Sequence, residues 1–303
     1  MEIIVRAPEI KINKRTPKKS VEHLKEYSLL ILDKSKGPKS RESTEFLREE
    51  FGFRKAGHAG TLDPITTGVL PVFLNKGNKI SSVLSLSRKR YLATMNIHKA
   101  VTKLKLKKSL NKFTGKIMQR VPKVSAVKRQ TREREIYSIK LIEFNDRIAK
   151  IDVECQAGTY IRKLIHDIGE DLETGAHMFE LRRIKSGPFT EKDAISEKRI
   201  RKYLESDETK IRKILIPLEK AVSEIKKIWV DDGVLKPWSY GSPVYFNGVL
   251  QFSKGIVEKE KIAVFNRKNE LIGVGIARAD SKSLKTAKEG IAVRNFLNLI
   301  PNG

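Results

Sequence analysis

Apolar residues in this chain gather mostly in short continuous or alternating runs and fall into a helical rhythm at few places. Tyr27 to Leu32, Val69 to Leu74, Tyr91 to Ile97, Ser138 to Phe144 and Ala149 to Cys155 read as strands, and Ile3 to Val5 forms a shorter strand-like piece. Ile161, Leu164, Ile165, Ile168 and Leu172 recur at helical spacing and predict the clearest helix, over Tyr160 to Leu172. Glu42 to Phe51 reads as a second helix, which Gly52 is placed to end. Leu104, Leu106, Leu110 and Phe113 suggest a short amphipathic helix with an otherwise basic surface. Residues 190–226 are charged and helix-like. From Ile228 the pattern shifts to short β segments divided by Asp232-Gly233, Tyr240-Gly241, Asn247-Gly248 and Lys254-Gly255, with strands at Ile262 to Phe265 and Leu271 to Ala277. The order of elements is that of an α+β chain ending in a small β-barrel.

Charge narrows this picture. The chain has 303 residues, enough for one large domain or two smaller ones, and 62 Lys and Arg stand against 36 Asp and Glu, a net +26. An excess of that size is an electrostatic footprint for phosphate backbones. A membrane surface would attract it too, but no long basic amphipathic helix adjoins an apolar anchor, and runs such as Leu29 to Leu32 are far too short to span a bilayer. Cys155 is the only cysteine, which rules out an intrachain disulfide, and its alternating surroundings make it a buried strand residue. With no CxxC or HExxH and five scattered histidines, no protein-held metal is expected. The expectation is a soluble intracellular protein in a reducing compartment. The basic residues cluster twice. Lys11, Lys14, Arg15, Lys18 and Lys19 mark an N-terminal arm over residues 1–26. Arg120, Lys123, Lys128, Arg129, Arg132 and Arg134 mark an extended basic loop or hairpin over Gln119 to Tyr137.

The stretch Gly57 to Val72, GHAGTLDPITTGVLPV, carries the sharpest chemical hint. It holds one acid, Asp63, and Pro64 biases that residue away from the helical region. Two readings stand side by side: a structural turn in which Asp63 bonds its own backbone, and acid or nucleophile chemistry on a polyanion. Arg162 poses a similar choice. It lies off the apolar stripe at the start of its helix, where the dipole disfavours a cation. A nearby carboxylate would account for it, and so would plain solvent exposure.

Taken with Lys89-Arg90-Tyr91, Gln119 to Tyr137, AGTYIRKLIHDIG (Ala157 to Gly169) and GAHMFELRRIKSGPF (Gly175 to Phe189), the 57–72 segment resembles the TruB/dyskerin family of pseudouridine synthases. Within that family the chain is most similar to the archaeal catalytic subunit type of box H/ACA ribonucleoproteins. The C-terminal stretch from Tyr240 to Ala277 resembles a PUA domain, with Gly241, Gly248, Gly255 and Gly275 at its glycine positions. The resemblance implies a catalytic domain built on a mixed or antiparallel sheet over residues 27–226, with a thumb loop near 119–137. It further implies a PUA domain over 227–303, with the 1–26 arm packing on it. It places the catalytic residues at Asp63, Tyr91 and Arg162, and substrate contacts at His58, Leu181, Tyr160, Lys89, Lys128, Arg129 and Arg134. It implies no cofactor. Its partners would be an H/ACA guide RNA, a substrate rRNA or tRNA, small accessory proteins of the particle and a kink-turn-binding ribosomal protein, in the archaeal cytoplasm. A stand-alone tRNA synthase of the TruB kind and a non-catalytic RNA scaffold are the alternatives. One departure lies near the site: where the family's first motif has Lys-Pro, this chain has Lys34-Ser35.

Uridine isomerisation breaks the N1–C1′ bond and remakes it at C5, so no redox step or group donor is needed. The base must leave its stack, at a typical cost of a few kcal/mol. Tyr91 offers an aromatic face for the extruded base. Asp63 would attack the nucleotide or abstract a ribose proton, and Arg162 would hold it charged by bidentate pairing.

Overall fold

The computed structural model describes residues 1–120, 130–204 and 208–301. The chain forms two compact units. One comprises Leu30–Val72 and Ser82–Ile214, and the other Met1–Leu29, Phe73–Ser81 and Leu215–Gly303. From the N-terminus the elements run β1 (Ile3–Val5), α1 (Val21–Glu26), β2 (Tyr27–Lys34), α2 (Ser40–Glu50), β3 (Ala56–His58) and β4 (Thr67–Asn75). They continue with α3 (Ser81–Ser85), β5 (Lys89–Ile97), α4 (Lys103–Lys112), β6 (Gly115–Arg120), β7 (Thr131–Asn145), β8 (Ile148–Cys155) and α5 (Ile161–Asp171). Then come β9 (Ala176–Ser186), β10 (Phe189–Thr190), β11 (Ala194–Ile195) and α6 (Glu197–Leu204).

The first unit is organised by a mixed sheet in the order β11-β2-β4-β9-β5-β8-β7-β6, with β3 beside β4 and β10 beside β9. β5 is antiparallel to β8 and β9, whereas β4 runs parallel to β9 and β11 parallel to β2. Alternate residues of β5, from Lys89 through Tyr91, Ala93 and Met95 to Ile97, are buried, the period of a pleated strand with one covered face. α5 lies against β9 and buries the whole predicted stripe: Ile161, Leu164, Ile165, Ile168 and Leu172 are each no more than 3% exposed. Burial of five such side chains anchors the helix far more firmly than helix propensity can. In α4 one expected position is wrong. Leu106 and Leu110 are buried, but Leu104 is exposed, because it stands two residues before Leu106 and so on the other side of the helix. The basic segment does form a hairpin in its described part, where β6 and β7 pair antiparallel from Gly115↔Ile136 to Arg120↔Thr131. The expected helical stretch from 190 to 226 also contains short strands: β10 and β11 join the sheet, and Ile216–Pro217 pairs antiparallel with β2 at Leu29 and Ser28.

The second unit continues with β12 (Ile216–Pro217), β13 (Lys227–Val230), β14 (Val244–Tyr245), β15 (Val249–Ser253), β16 (Lys261–Phe265), β17 (Leu271–Ala277) and β18 (Ile291–Asn298). Seven strands join in the order β1-β15-β13-β16-β17-β18-β14. Trp238 is fully buried at the centre, and its indole N–H donates to the Ile272 carbonyl at 3.2 Å. Gly275 makes room for that packing. A Cβ there would lie 2.2 Å from Val293 and 3.4 Å from the Trp238 ring. The N-terminal segment is ordered on this unit: β1 pairs with β15, Asn13 N–H donates to Arg267 O at 2.9 Å, and the Thr16 hydroxyl donates to Asn269 O at 2.9 Å.

Candidate active site

The 57–72 segment leaves β3 at His58, crosses an irregular loop and enters β4 at Thr67. Polar side chains grip the loop by its main chain. Ser40, at the start of α2, donates its hydroxyl to Leu62 O at 2.9 Å and accepts from Leu62 N–H at 2.8 Å. The buried Lys34 ammonium donates to Thr66 O at 3.1 Å, Pro64 O at 3.4 Å and Ser35 O at 2.9 Å. Arg183, 1% exposed on β9, donates to Gly60 O at 3.0 Å and Val69 O at 2.7 Å, and so spans both ends of the loop. Gly68 admits this closeness. Its φ is +100°, and a Cβ would sit 2.3 Å from Arg183 O. Burial pushes the Lys34 ammonium below its usual range, with Glu197 and Asp63 pulling it back up.

Within that frame Asp63 heads a turn, its carbonyl accepting from Thr66 N–H at 2.9 Å. The turn reading is thus met by the backbone, and the side chain is left for something else: the Asp63 carboxylate accepts from the Arg162 guanidinium. Arg162 stands on the first turn of α5, displaced from the stripe that holds the helix down. The two side chains are 51% and 47% exposed, so the pair is open to solvent and to a ligand. A carboxylate facing the helix start offsets the unfavourable position of the cation.

Tyr91 and Leu181 line the sheet nearby. Tyr91 is in register with Arg183, and Ala93 with Leu181. Burial pushes the Tyr91 phenol up, Arg183 opposes this by charge and a hydrogen bond, and Asp63 raises it slightly further. Tyr91 therefore keeps its proton at neutral pH. It is 8% exposed, so the site presents a small part of the ring and not a free aromatic face. His58 is half-buried, and its buried Nδ1 has no hydrogen-bond partner among the described residues. Burial first, and then the Arg183 charge, lowers its pKa.

The remaining expected contacts divide. Tyr160 is the residue that begins α5, and Arg134 reaches from β7 to Gly158 O at 3.2 Å, so both adjoin the Arg162 turn. Lys89 departs from the expected substrate surface. It is 4% exposed, and its ammonium donates to Ser87 O at 2.7 Å, Ser87 Oγ at 2.9 Å, and Leu84 O and Ser85 O at 3.2 Å, closing the end of α3. A buried ammonium must satisfy its donors inside the protein, and this one does. Lys128 and Arg129 lie outside the described residues. Sequence reasoning missed Arg183, Lys34 and Ser40. A usable signal existed for Arg183, which stands two residues beyond Leu181 on one strand and so shares its face.

The half-exposed pair of a loop carboxylate and a helix guanidinium can be compared with known proteins. Residues 48–161 match the TruB family pseudouridylate synthase N-terminal domain, 162–223 the tRNA pseudouridylate synthase B C-terminal domain, and 226–296 the PUA domain. The probable tRNA pseudouridine synthase B of Korarchaeum cryptofilum is 42% identical over 273 residues, 88% of this chain and 84% of that protein. The crystal structure of a Cbf5-Nop10-Gar1 complex superposes with a TM-score of 0.94 at 34% identity, covering 99% of this chain and 94% of that one. An H/ACA RNP bound to a substrate RNA containing 2′-deoxyuridine gives 0.91 at 32% identity, covering 99% and 95%. Fold and sequence together define an RNA pseudouridine synthase, an isomerase. Within that class the chain belongs to the TruB family and carries a PUA domain.

Proposed function

We propose that Asp63 is the residue acting on the ribose end of an extruded uridine, with Arg162 holding its carboxylate aimed. The observation that carries this reading is the ion pair itself. It joins residues 99 apart in sequence and stays half-exposed, whereas the groups that shape its loop are buried. An ionised carboxylate suits either attack on the sugar or removal of a ribose proton during glycal-type cleavage. Either way the N1–C1′ bond breaks, the base turns, and C5 bonds to C1′, displacing the Asp63 carboxylate on the first path and with the proton returned from Asp63 to C2′ on the second. The C5 proton is lost and N1 gains one. Tyr91 and Leu181 bound the space for the base, and the protonated phenol serves as contact and hydrogen-bonding group, not as a base.

Target choice comes from a guide RNA in this reading. Support comes from the fit along nearly the full chain to a protein whose complex includes Nop10 and Gar1, and to an H/ACA particle holding substrate RNA. The +26 charge supplies backbone affinity without sequence reading. The PUA domain holds the guide's ACA end, the two accessory proteins and a kink-turn-binding ribosomal protein complete the particle, and the archaeal cytoplasm is its place. A second reading, direct action on tRNA, is favoured by the names of the curated relatives, which are tRNA pseudouridine synthases B. The purified chain assayed on a tRNA transcript, with and without guide RNA and accessory proteins, separates the two. Asp63→Asn tests the site. RNA binding persists while isomerisation falls below detection, and turnover near the parental rate would refute the assignment.

A further inference from the structure

Gln119 is the most deeply buried residue of β6, 2% exposed on a strand whose neighbours Met118 and Arg120 face solvent. Its amide makes a two-way clasp on the main chain of one residue. Nε2 donates to Tyr160 O at 3.2 Å, and Oε1 accepts from Tyr160 N–H at 3.0 Å. Tyr160 begins α5 and makes no capping bond with its own side chain. Its backbone, at φ −96° and ψ 102°, sets the direction in which Ile161 and Arg162 leave.

Three further bonds tie the same hairpin to the loop before α5. Gln156 N–H donates to Glu135 O at 2.8 Å, Glu135 N–H to Gln156 Oε1 at 3.2 Å, and Arg134 Nε to Gly158 O at 3.2 Å. These hold Gln156 and Gly158. Only Gln119, among these hairpin contacts, reaches the residue adjoining the helix. The five aliphatics, Ile161 and Leu164 of the first turn among them, hold one face of α5, and Arg162 stands in that turn off the held face, just beyond Tyr160. We infer that Gln119 is a positioning residue for the Arg162–Asp63 pair, acting through the Tyr160 main chain. Removing its amide leaves the loop attached at 156 and 158 and the stripe buried, but loosens the entry to the turn that carries the guanidinium. The Tyr160 main chain then loses the Gln119 amide, its carbonyl keeping the helical bond from Leu164 N–H, and the pair samples geometries outside the reactive one.

The inference rests on the reading of Asp63 and Arg162 given above, and the test keeps the two apart. Single-turnover conversion of a tRNA transcript by the full chain is measured for Gln119→Met, Arg162→Lys and the double variant, with guide RNA and accessory proteins added if the parent chain requires them. Binding of the same RNA is measured alongside. Gln119→Met keeps the volume and removes both bonds. It is expected to slow conversion about tenfold with RNA affinity within about twofold, and to add little in the Arg162→Lys background. Gln119→Glu, which keeps the acceptor for Tyr160 N–H, should fall between parent and Met, and it carries the same cycle if the Met variant does not fold. Equal losses in both backgrounds, an unchanged rate, or a loss lying wholly in RNA affinity would overturn the role of Gln119. Parental turnover by Arg162→Lys alone would instead sink the reading of the site.

Discussion

Asp63 and Arg162 form one pair, but the two halves are held by opposite physics. Arg162 rides on a helix whose body is fixed by five aliphatic side chains, an attachment without direction that tolerates small shifts, with the Gln119 clasp at its entry. Asp63 rides on an irregular loop whose carbonyls at residues 60, 62, 64, 66 and 69 each accept from a named side chain: Arg183, Ser40 or Lys34. Hydrogen bonds have direction, and a loop held at five points has one shape. The helix supplies stability and the loop supplies geometry. Substitutions in the two should therefore fail in different ways.

Arg183→Met gives the largest expected effect. It removes the donors of Gly60 O and Val69 O, each loss costing about 1–3 kcal/mol, and the loop that presents Asp63 loosens. Conversion per folded molecule should fall on the order of a hundredfold, more than the stability loss explains. Single-turnover rates corrected for the folded fraction check this, and an unaltered corrected rate would break the contrast. Leu164→Ala is the counterpart on the helix. It should cost about 2–5 kcal/mol of stability, read from denaturant unfolding, while the corrected rate stays within about twofold. A large loss of corrected rate there would show that the helix also aims the chemistry.

The same division explains what could be read from the sequence. The α5 stripe was legible because burial of aliphatics imposes a period, and all five expected positions are covered. The strands of the sheet were legible for the same reason. The clamps were not, because they depend on which strand lies beside which. Tyr91 faces Arg183 across β5 and β9, a register that local pattern does not state. Lys89 shows the cost of carrying a role over without its strand position. The resemblance implied an RNA contact there, yet Lys89 stands two residues before Tyr91 on one strand, and that spacing already placed it on the covered face. Leu104 failed through composition overriding position, since Leu106, Leu110 and Phe113 complete a helical stripe without it.

The smallest effect concerns the edge of the clamped loop. His58 ends β3, its buried Nδ1 has no partner among the described residues, and burial together with the Arg183 charge lowers its pKa from the ordinary 6.5. A ring that holds its proton less tightly in the folded chain leaves the unfolded chain with more bound protons at acid pH. Stability is then whole above about pH 6.5 and declines as pH falls from there towards the lowered folded value. His23 in the other unit is lowered too, again by burial first, so the parent's slope alone would mix the two. The difference between parent and His58→Gln isolates the loop, because the His23 contribution is common to both. Melting temperatures from pH 8 down to pH 5 should diverge only in the acid half, the parent losing more, by a few degrees at most. Parallel curves would mean that the His58 ring exchanges its proton as freely in the fold as outside it, and that the cation of Arg183 is not felt at that end of the loop.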